Sequence, residues 1–388
     1  MVNIPYGRQD ITEADIDAVV TVLKSDFLTQ GPMVPKFEHA VSNYCGAQYA
    51  VALNSATSAL HVACLALGLG PGDWLWTSPI TFVASANCGL YCGAKVDFVD
   101  IDPLTYNLCP VALETKLEKA DGEGRLPKVV VAVHLCGQPC DMVAINRLAQ
   151  RYGFKIIEDA SHAVGGRFRG EPIGSCRYSD VTIFSFHPVK IITSAEGGMA
   201  LTNDAELAKK MVLLRSHGIT RDPMQMTCDS EGPWFYQQIE LGFNYRLTDL
   251  QAALGLSQMD RLQPYVAQRN QLANRYDELL SSMPVTTPSQ SPDSYSSRHL
   301  YVIRIQLEKV KKSQREIFDT LRARGIEVNL HYIPIYKHPY YQRMGFNASD
   351  FPQSQQYYSE ALSLPMYATL SESQQDRVVA EIKSVMQT

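Results

Sequence analysis

The sequence has no surplus of basic residues and no long apolar run. It contains 35 lysine and arginine residues against 40 acidic ones, which gives a formal net charge of −5. Such a chain offers no positive field to nucleic acid or to an anionic membrane, so an anionic ligand must be held by local donors. No segment approaches the roughly 18 apolar residues of a membrane span, and residues 1–6 lack the basic and apolar regions of a signal peptide. We therefore expect a cytoplasmic protein that acts on a small molecule, without nucleic-acid or membrane partners.

Cysteine and glycine patterns argue against three further classes of protein. The nine cysteines are scattered along 388 residues, unlike the disulfide framework of a short secreted chain. The pairs Cys88/Cys92 and Cys136/Cys140 are not followed by a histidine pair at zinc-finger spacing, and no HExxH motif is present. The glycines of residues 68–72 follow a helix-like segment and lack the dinucleotide fingerprint. The sequence thus predicts reduced thiols, no metal site and no nicotinamide cofactor.

Strand-like and helix-like segments alternate in the first half of the chain. The strand-like segments 49–53, 95–99 and 129–133 precede helix-like segments 57–67, 111–119 and 142–152, and a further apolar segment, 154–157, leads into Glu158-Asp159. This alternation predicts an α/β fold with a mainly parallel sheet covered by helices, and a ligand site beyond the carboxyl ends of the strands. With 45% hydrophobic residues, the chain is long enough for a large core and two domains.

The alternation ends after further strands at 181–184 and 199–202. Helix-like segments follow at 207–214 and 250–262, then a proline- and serine-rich loop at 281–297, a strand at 300–305, and helices at 314–324 and 374–385. We predict a large α/β domain over residues 1–250, which includes an N-terminal arm, and a smaller α+β domain over residues 251–388.

The segment Ser185–Lys190, with the sequence SFHPVK, places one lysine in a polar turn upstream of the glycine pair 197–198. A surface lysine is the competing interpretation, since this is where most lysines lie. The apolar neighbours Phe184 and Phe186 favour burial of the lysine stem instead. Burial lowers the pKa of a lysine and frees its amine to form a Schiff base with a carbonyl cofactor.

A carboxylate and a phosphate-binding turn complete this pattern. Asp159 follows an apolar strand, where it can keep a pyridine nitrogen protonated; a helix N-cap is the competing interpretation. Residues 55–58 lie between a strand and a helix, where backbone N–H groups bind phosphate, and Ser185 adds a hydroxyl, although both can simply cap turns. Pyridoxal phosphate requires the amine, the ring-nitrogen partner and the phosphate donors together. We therefore predict pyridoxal 5′-phosphate as the cofactor, with Lys190 and Asp159 as the catalytic residues.

Several motifs carry a family resemblance. They are IEDASHA at 157–163, FSFHPVK at 184–190, EGG at 196–198, HG at 217–218 and GFNYRL at 242–247. In this order they resemble the DegT/DnrJ/EryC1/StrS sugar aminotransferases over nearly the whole chain. Segments 28–31, 54–60, 79–84, 296–301 and 331–336 resemble most closely the branch that aminates UDP-linked 4-keto sugars in pseudaminic acid biosynthesis. The resemblance implies the aspartate aminotransferase-like fold, fold type I, for the large domain.

The resemblance also assigns roles to single residues. Lys190 matches the lysine that forms the Schiff base, and Asp159 matches the carboxylate under the ring nitrogen. The implied cofactor contacts are Thr57, Ser58, Phe82, Asp159, His162, Ser185, Lys190 and Asn244, of which Asn244 reaches the phosphate from the partner subunit of a homodimer. The implied nucleotide-sugar contacts are Tyr6, Leu28, Thr29, Ala56, Ser185, Asn244, His331, Tyr332, Ile333 and Pro334.

The implied reaction moves an amino group from L-glutamate to C4 of a UDP-linked 4-keto-6-deoxy-N-acetylhexosamine. A sister branch of the fold dehydrates sugars at C3 with a histidine in place of the lysine, and Lys190 argues against it. A non-catalytic cofactor-binding relative would not need Lys190, Asp159 and a sugar-contacting turn together. Among enzymes, the alternative is an aminotransferase for another UDP- or dTDP-linked 4-keto-6-deoxy sugar.

Overall fold

The computed structural model describes residues 3–387. Met1, Val2 and Thr388, which the predicted domain ranges include, lie outside the described residues. The helices are α1 (Glu13–Leu23), α2 (Met33–Cys45), α3 (Ala56–Ala66), α4 (Ala84–Tyr91), α5 (Pro110–Gly122), α6 (Met142–Tyr152), α7 (Ala205–Arg215), α8 (Asp249–Met259), α9 (Leu262–Leu280), α10 (Gln314–Ala323), α11 (Pro339–Gln342), α12 (Pro352–Glu360) and α13 (Glu372–Gln387). The strands are β1 (Tyr49–Leu53), β2 (Trp74–Thr77), β3 (Lys95–Phe98), β4 (Val129–Val133), β5 (Lys155–Asp159), β6 (Arg167–Phe168), β7 (Glu171–Pro172), β8 (Val181–Ser185), β9 (Gly198–Thr202), β10 (Ile219–Thr220), β11 (Gln237–Gln238), β12 (Val285–Thr286), β13 (Ser294–Tyr295), β14 (Tyr301–Ile305) and β15 (Ala361–Leu364).

A seven-stranded sheet forms the centre of the larger unit, in the order β1-β9-β8-β5-β4-β2-β3. The strands β3, β2, β4, β5 and β8 run parallel to one another. Only β9 runs against its neighbours β8 and β1 within this sheet. The predicted α/β fold with a mainly parallel sheet is therefore confirmed.

The packing of β4 explains why it reads as an uninterrupted apolar run. Val130 and Ala132 join a core that also contains side chains of α2, α5 and α6, while Val129 and Val131 join a core with side chains of α3 and α4. Successive side chains of a strand point to opposite faces of the sheet, so a strand covered on both faces is apolar at every position. The polar side chains Asp159 and Ser185 are the last residues of the neighbouring strands β5 and β8, and a site can form at that edge of the sheet.

A three-stranded antiparallel sheet, β12-β14-β15, packs with α9, α10 and α13 around a separate core. Val266 in the first half of α9 belongs to the larger core, whereas Leu272 and Tyr276 on the same helix belong to the smaller one. Ile4 of the N-terminal arm joins the smaller core as well. Side chains from both sides of the predicted 250/251 division thus share the larger core, and the division stays a prediction.

The segment predicted as a loop over 281–297 contains two short strands. β12 pairs with β14, and β13 pairs with β6 of the larger unit. Two-residue strands carry no readable period, so only their tertiary partners define them. Throughout residues 3–387, every helix is too short or too polar to span a membrane, and the same residues contain no group of three His, Cys, Asp or Glu side chains arranged for a metal ion.

Candidate active site

A cavity of about 420 Å³ lies where the carboxyl ends of β5 and β8 meet the N-terminus of α3. Its lining includes these predicted residues: Tyr6, Ala56, Thr57, Phe82, Asp159, His162, Ser185, Lys190, His331 and Tyr332. A larger cleft of about 920 Å³ borders β1, α7 and β10, but no carboxylate is among the described residues that line it. Since the predicted chemistry needs a lysine and a carboxylate together, the smaller cavity is the candidate active site.

Lys190 lies in the turn that connects β8 to β9. Its backbone N–H donates to the carbonyl of His187 at 2.9 Å, and the Ser194 N–H closes the turn on the carbonyl of Phe186 at 2.9 Å. Burial lowers the pKa of Lys190 from 10.5 to about 8, and the negative charge of Asp159 opposes part of that shift. A fraction of the amine is therefore uncharged near neutral pH and can attack a carbonyl.

Asp159 is the last residue of β5, and its buried carboxylate accepts hydrogen bonds on both oxygens. Ser85 Oγ donates to Oδ2 at 2.6 Å. Ser161 donates to Oδ1 twice, from Oγ at 2.6 Å and from its backbone N–H at 3.2 Å. Turns rather than a helix follow the strand, so the carboxylate does not act as a helix cap and faces the cavity.

The N-terminus of α3 forms the predicted anion-binding end of the cavity. Ser55 caps the helix by accepting the N–H of Ser58 at 3.1 Å, and Ser58 Oγ donates to Asn54 Oδ1 at 2.5 Å. The Ser58 side chain is thus engaged with Asn54 and does not line the cavity, whereas Ala56, Thr57 and Ser185 do. Backbone N–H groups at a helix start, together with the helix dipole, favour a phosphate here.

Gly198 explains the glycine pair that the sequence places after Lys190. A Cβ added to Gly198 would lie 2.4 Å from the carbonyl carbon of Ser55. Real Cβ atoms do not approach backbone atoms so closely, so only glycine lets the start of β9 pack against the start of α3. The glycine therefore sets the position of the anion-binding end.

His162, His331 and Tyr332 form a second part of the cavity lining, called the wall below. The Cys136 N–H donates to His162 Nδ1 at 3.3 Å, which leaves the proton on Nε2 to donate to Tyr332 Oη at 3.1 Å. Burial and the charge of Lys190 hold the pKa of His162 well below its usual range and lower the pKa of His331 to about 4. The wall is therefore uncharged and offers hydrogen bonds rather than ionic contacts.

Other predicted residues lie outside this cavity in the single chain. Leu28 and Ile333 are 47% and 45% exposed, and Thr29 and Asn244 are also exposed. Thr29 bridges to Thr248, and Asn244 pairs with Ser216. Pro334 is buried next to Ile333. These residues, and the side chain of Ser58, keep their predicted roles as predictions.

Sequence reasoning missed several residues that the structure adds to the site. Ser161 lies inside the IEDASHA motif, and His299 lies inside the segment 296–301, but neither was singled out. His299 is buried against the ring of His162, with ring centroids 4.4 Å apart. Ser85 and Thr81 come from the segment that carries Phe82, and Ser85 is separated from Asp159 by 74 positions, so no local signal connects them.

A mainly parallel sheet with a lysine, a carboxylate and a helix N-terminus at one cavity defines the pyridoxal-phosphate-dependent enzymes with the aspartate aminotransferase-like fold. The chain belongs to the DegT/DnrJ/EryC1/StrS aminotransferase family, whose model matches residues 9–383. The predicted family is therefore confirmed.

Similar proteins extend over almost the whole chain. It is 38% identical over 386 residues to the spore coat polysaccharide biosynthesis protein SpsC of Bacillus subtilis, which covers 99% of this chain and 97% of the relative. It is 37% identical over 369 residues to the UDP-4-amino-4,6-dideoxy-N-acetyl-beta-L-altrosamine transaminase of Campylobacter jejuni, covering 95% and 93%. The protein is thus an aminotransferase of this family, and both of these relatives carry names from sugar metabolism.

Solved structures agree with this assignment. Helicobacter pylori PseC, an aminotransferase involved in the biosynthesis of pseudoaminic acid, has a TM-score of 0.90 at 30% identity and covers 99% of both chains. The PLP-form of the putative sugar aminotransferase Spr1654 from Streptococcus pneumoniae has a TM-score of 0.88 at 30% identity, again over 99% of both chains. The cofactor is pyridoxal 5′-phosphate, and the residues of the cavity fit it: an amine at Lys190, a carboxylate at Asp159 and the helix start at Ala56 and Thr57.

Proposed function

We propose that this protein transfers the amino group of L-glutamate to C4 of UDP-2-acetamido-2,6-dideoxy-β-L-arabino-hex-4-ulose, a 4-keto-6-deoxy-N-acetylhexosamine, in pseudaminic acid biosynthesis. The observation that carries the proposal is the meeting of Lys190, Asp159 and the start of α3 in one cavity. The choice of sugar is supported by the 37% identity to the Campylobacter jejuni transaminase and by the similarity to PseC.

The residues of the cavity have complementary tasks. Pyridoxal phosphate supplies, when bound, an aldehyde for an imine linkage and a ring that withdraws electrons from the attached carbon. Lys190 would hold the aldehyde carbon, Asp159 would keep a proton on the ring nitrogen, and the N–H groups of Ala56 and Thr57 with the Ser185 hydroxyl would bind the phosphate.

Lys190 also serves as the base of the reaction. Its pKa of about 8 lets the free Nζ take a proton from Cα of glutamate near neutral pH and deliver one to C4 of the sugar in the second half-reaction. The neutral wall of His162, His331 and Tyr332 suits the hydroxyl and amide groups of a sugar rather than a second charge. Because both half-reactions use one lysine in one cavity, we expect ping-pong kinetics.

The functional unit we propose is a homodimer with shared sites. The segment before Asn244 carries exposed apolar side chains, with Met224, Trp234 and Leu241 at 91%, 71% and 78% exposure. Apolar surface of this extent at one segment is typical of a protein contact. Asn244 would complete the phosphate site of the partner subunit, and Leu28, Thr29 and Ile333 would contact the nucleotide sugar from outside the cavity.

A second candidate is amination of another UDP- or dTDP-linked 4-keto-6-deoxy sugar. The 38% identity to SpsC over 99% of the chain favours it, because that relative is a spore coat polysaccharide biosynthesis protein. The non-catalytic alternative has less support, since a sensor has no use for a lysine of lowered pKa beside Asp159.

The test is an amination assay on a panel of UDP- and dTDP-4-keto-6-deoxy sugars with L-glutamate, with Lys190→Ala as the inactive control. We expect a glutamate-dependent 4-amino product, formed with the highest kcat/KM from the UDP-linked N-acetylhexosamine. A higher kcat/KM with a dTDP-linked sugar would select the second candidate. Absence of any amine, in a protein whose bound cofactor still absorbs in the visible, would select the non-catalytic alternative.

A further inference from the structure

Asp159 is held by a hydroxyl group from a second element of the fold. Ser85 lies in the first turn of α4, is fully buried, and donates from Oγ to Asp159 Oδ2 at 2.6 Å. The other carboxylate oxygen receives its bonds from Ser161, two residues further along the same turn. Among residues 3–387, Ser85 is the only side chain outside that turn that hydrogen-bonds the carboxylate.

Thr81 extends this contact into a directed pair of hydroxyl groups. Its Oγ1 lies 2.8 Å from Ser85 Oγ, and it is buried as well. A carboxylate only accepts hydrogen bonds, so Ser85 must direct its single proton to Asp159. Thr81 is then the donor to Ser85. The order Thr81, Ser85, Asp159 leaves each hydroxyl proton with one defined acceptor.

We propose that Ser85, supported by Thr81, is a positioning residue that fixes the Asp159 carboxylate for its contact with the ring nitrogen of the cofactor. The inference rests on the role proposed above for Asp159. Without Ser85, Oδ2 of Asp159 would have no hydrogen-bond donor among residues 3–387, while Oδ1 would keep its two bonds from Ser161. A buried charged oxygen that lacks a donor is costly, and the carboxylate would be held on one side only.

Residues 81–85 contain both Ser85, which bonds Asp159, and Phe82, which is predicted to contact the cofactor ring. Phe82, predicted to stack on the ring, lies between Thr81 and Ser85 in sequence and lines the cavity. The Asp159 carboxylate is thus hydrogen-bonded to the first turn of α4, and the side chain predicted to stack on the ring lies just before that helix. A shift of the start of α4 would disturb both contacts together.

The experiment compares Ser85→Ala, Ser85→Thr, Thr81→Val and Asp159→Asn by titrating each apoprotein with pyridoxal 5′-phosphate. The readouts are the dissociation constant, the pH dependence of the absorption of the bound cofactor, and the melting temperature of the apoprotein. We expect Ser85→Ala to weaken cofactor binding roughly 10- to 100-fold, the scale of a hydrogen bond to a charged group, and to change the pH profile. Ser85→Thr keeps the hydroxyl and should bind within a few-fold of wild type, and Thr81→Val should fall between the two.

The outcomes distinguish the role of Ser85 from the role of Asp159. Cofactor binding and a pH profile equal to wild type in Ser85→Ala, while Asp159→Asn is impaired, would overturn the role of Ser85 alone. Wild-type behaviour of Asp159→Asn would overturn the role of Asp159 itself. If Ser85→Ala does not fold, then Ser85→Thr and Thr81→Val decide, because a purely structural role would lower the apoprotein melting temperature without changing the pH profile.

Discussion

The predicted site residues form two groups that differ in burial and in position. The cofactor group, Thr57, Asp159, Ser185 and Lys190, lines one cavity at the ends of strands and at a helix start. The outer group, Leu28, Thr29, Asn244 and Ile333, is exposed and lies outside that cavity. A single chain therefore brings together what imine chemistry needs, while the proposed contacts to the nucleotide sugar are incomplete within it.

This difference suggests that the cofactor group carries out the reaction and that the outer group recognises the sugar. The central sheet fixes the positions of Lys190, of Asp159 and of the start of α3, because its core is close-packed and resists displacement. The outer group lies on connecting segments, where sequence changes are tolerated and specificity commonly resides. A family built this way can keep one reaction while changing the sugar, and changes in the two groups should have different signatures.

Lys190→Ala should produce the largest effect. The variant loses both the anchoring amine and the base, so turnover should fall by more than the roughly 10²–10⁴-fold that a positioned proton-transfer group contributes. Transamination of glutamate by the purified variant is the measurement. An unchanged melting temperature of the apoprotein is the control, because Lys190 is not part of the apolar cores. Measurable turnover would exclude Lys190 as the catalytic lysine.

Asp159→Asn should produce the second-largest loss of activity. The amide cannot hold the ring-nitrogen proton by charge, and losing a preorganised electrostatic partner of this kind costs about 2.7–4 kcal/mol of barrier, or about 10²–10³ in kcat. The side chain keeps its size, so folding should change far less than kcat. A variant that retains near-wild-type kcat would reduce Asp159 to a structural role.

Gly198→Ala tests whether the close packing of β9 on α3 sets the anion-binding end. The added methyl would meet the Ser55 backbone at 2.4 Å, and forced displacement in a packed interior costs about 1–3 kcal/mol. We expect a lower melting temperature and weaker binding of pyridoxal phosphate. Gly70→Ala is the matched control, since a Cβ there meets nothing within 4 Å. Equal behaviour of the two variants would contradict the argument.

The pH dependence of cofactor attachment probes the environment of Lys190. Burial lowers the pKa of this lysine from 10.5 to about 8, so the neutral, nucleophilic fraction rises as pH rises through about 8. The rate at which the apoprotein forms its imine absorption band should increase roughly tenfold between about pH 7 and pH 9 and then level off. A rate that keeps rising in proportion to hydroxide toward pH 10.5 would indicate an unperturbed lysine.

Much of the fold could be predicted because local patterns and final packing agree. The strand at 129–133 and the helix at 142–152 were expected and found with those bounds. β2 was missed because the apolar part of WLWT is three residues long, shorter than the run of four to eight that marks a buried strand, and does not alternate with polar residues. β15 was missed because Ala361–Leu364 directly follows α12 without a turn signal and is defined by pairing with β14.

Site residues could be predicted where local sequence marks them and were missed where only distant contacts define them. Lys190 and Asp159 lie beside apolar strands, so sequence context marks them. Ser85 and His299 contribute through side-chain contacts with residues far away in sequence, and such contacts follow from topology rather than from a local motif. The outer group could be proposed only by resemblance, because exposed loop residues carry no periodic signal.

The smallest expected change in activity is the partial recovery in mixed dimers of two defective chains, and it tests the role of Asn244 in the outer group. If Asn244 completes the phosphate site of the partner subunit, each active site draws Lys190 from one chain and Asn244 from the other. A mixed dimer of Lys190→Ala and Asn244→Ala chains then has one site with both defects and one site with neither. With random assortment, half of the dimers are mixed, so the unfractionated coexpressed chains should recover about one quarter of the wild-type activity, and the purified mixed dimer should have about one half of it.

The measurement compares kcat of the coexpressed, doubly tagged mixed dimer with each homodimer, after confirming by tandem purification that both chains are present. Asn244→Ala alone should lower activity, because the amide would be lost from a phosphate contact, whereas the Lys190→Ala homodimer should be inactive. The competing interpretation is that Asn244 only hydrogen-bonds its own turn, as asparagine often does, and its backbone pairing with Ser216 is compatible with that. Mixed dimers with no more activity than the sum of the separate variants would rule out shared sites and leave the outer group within its own chain.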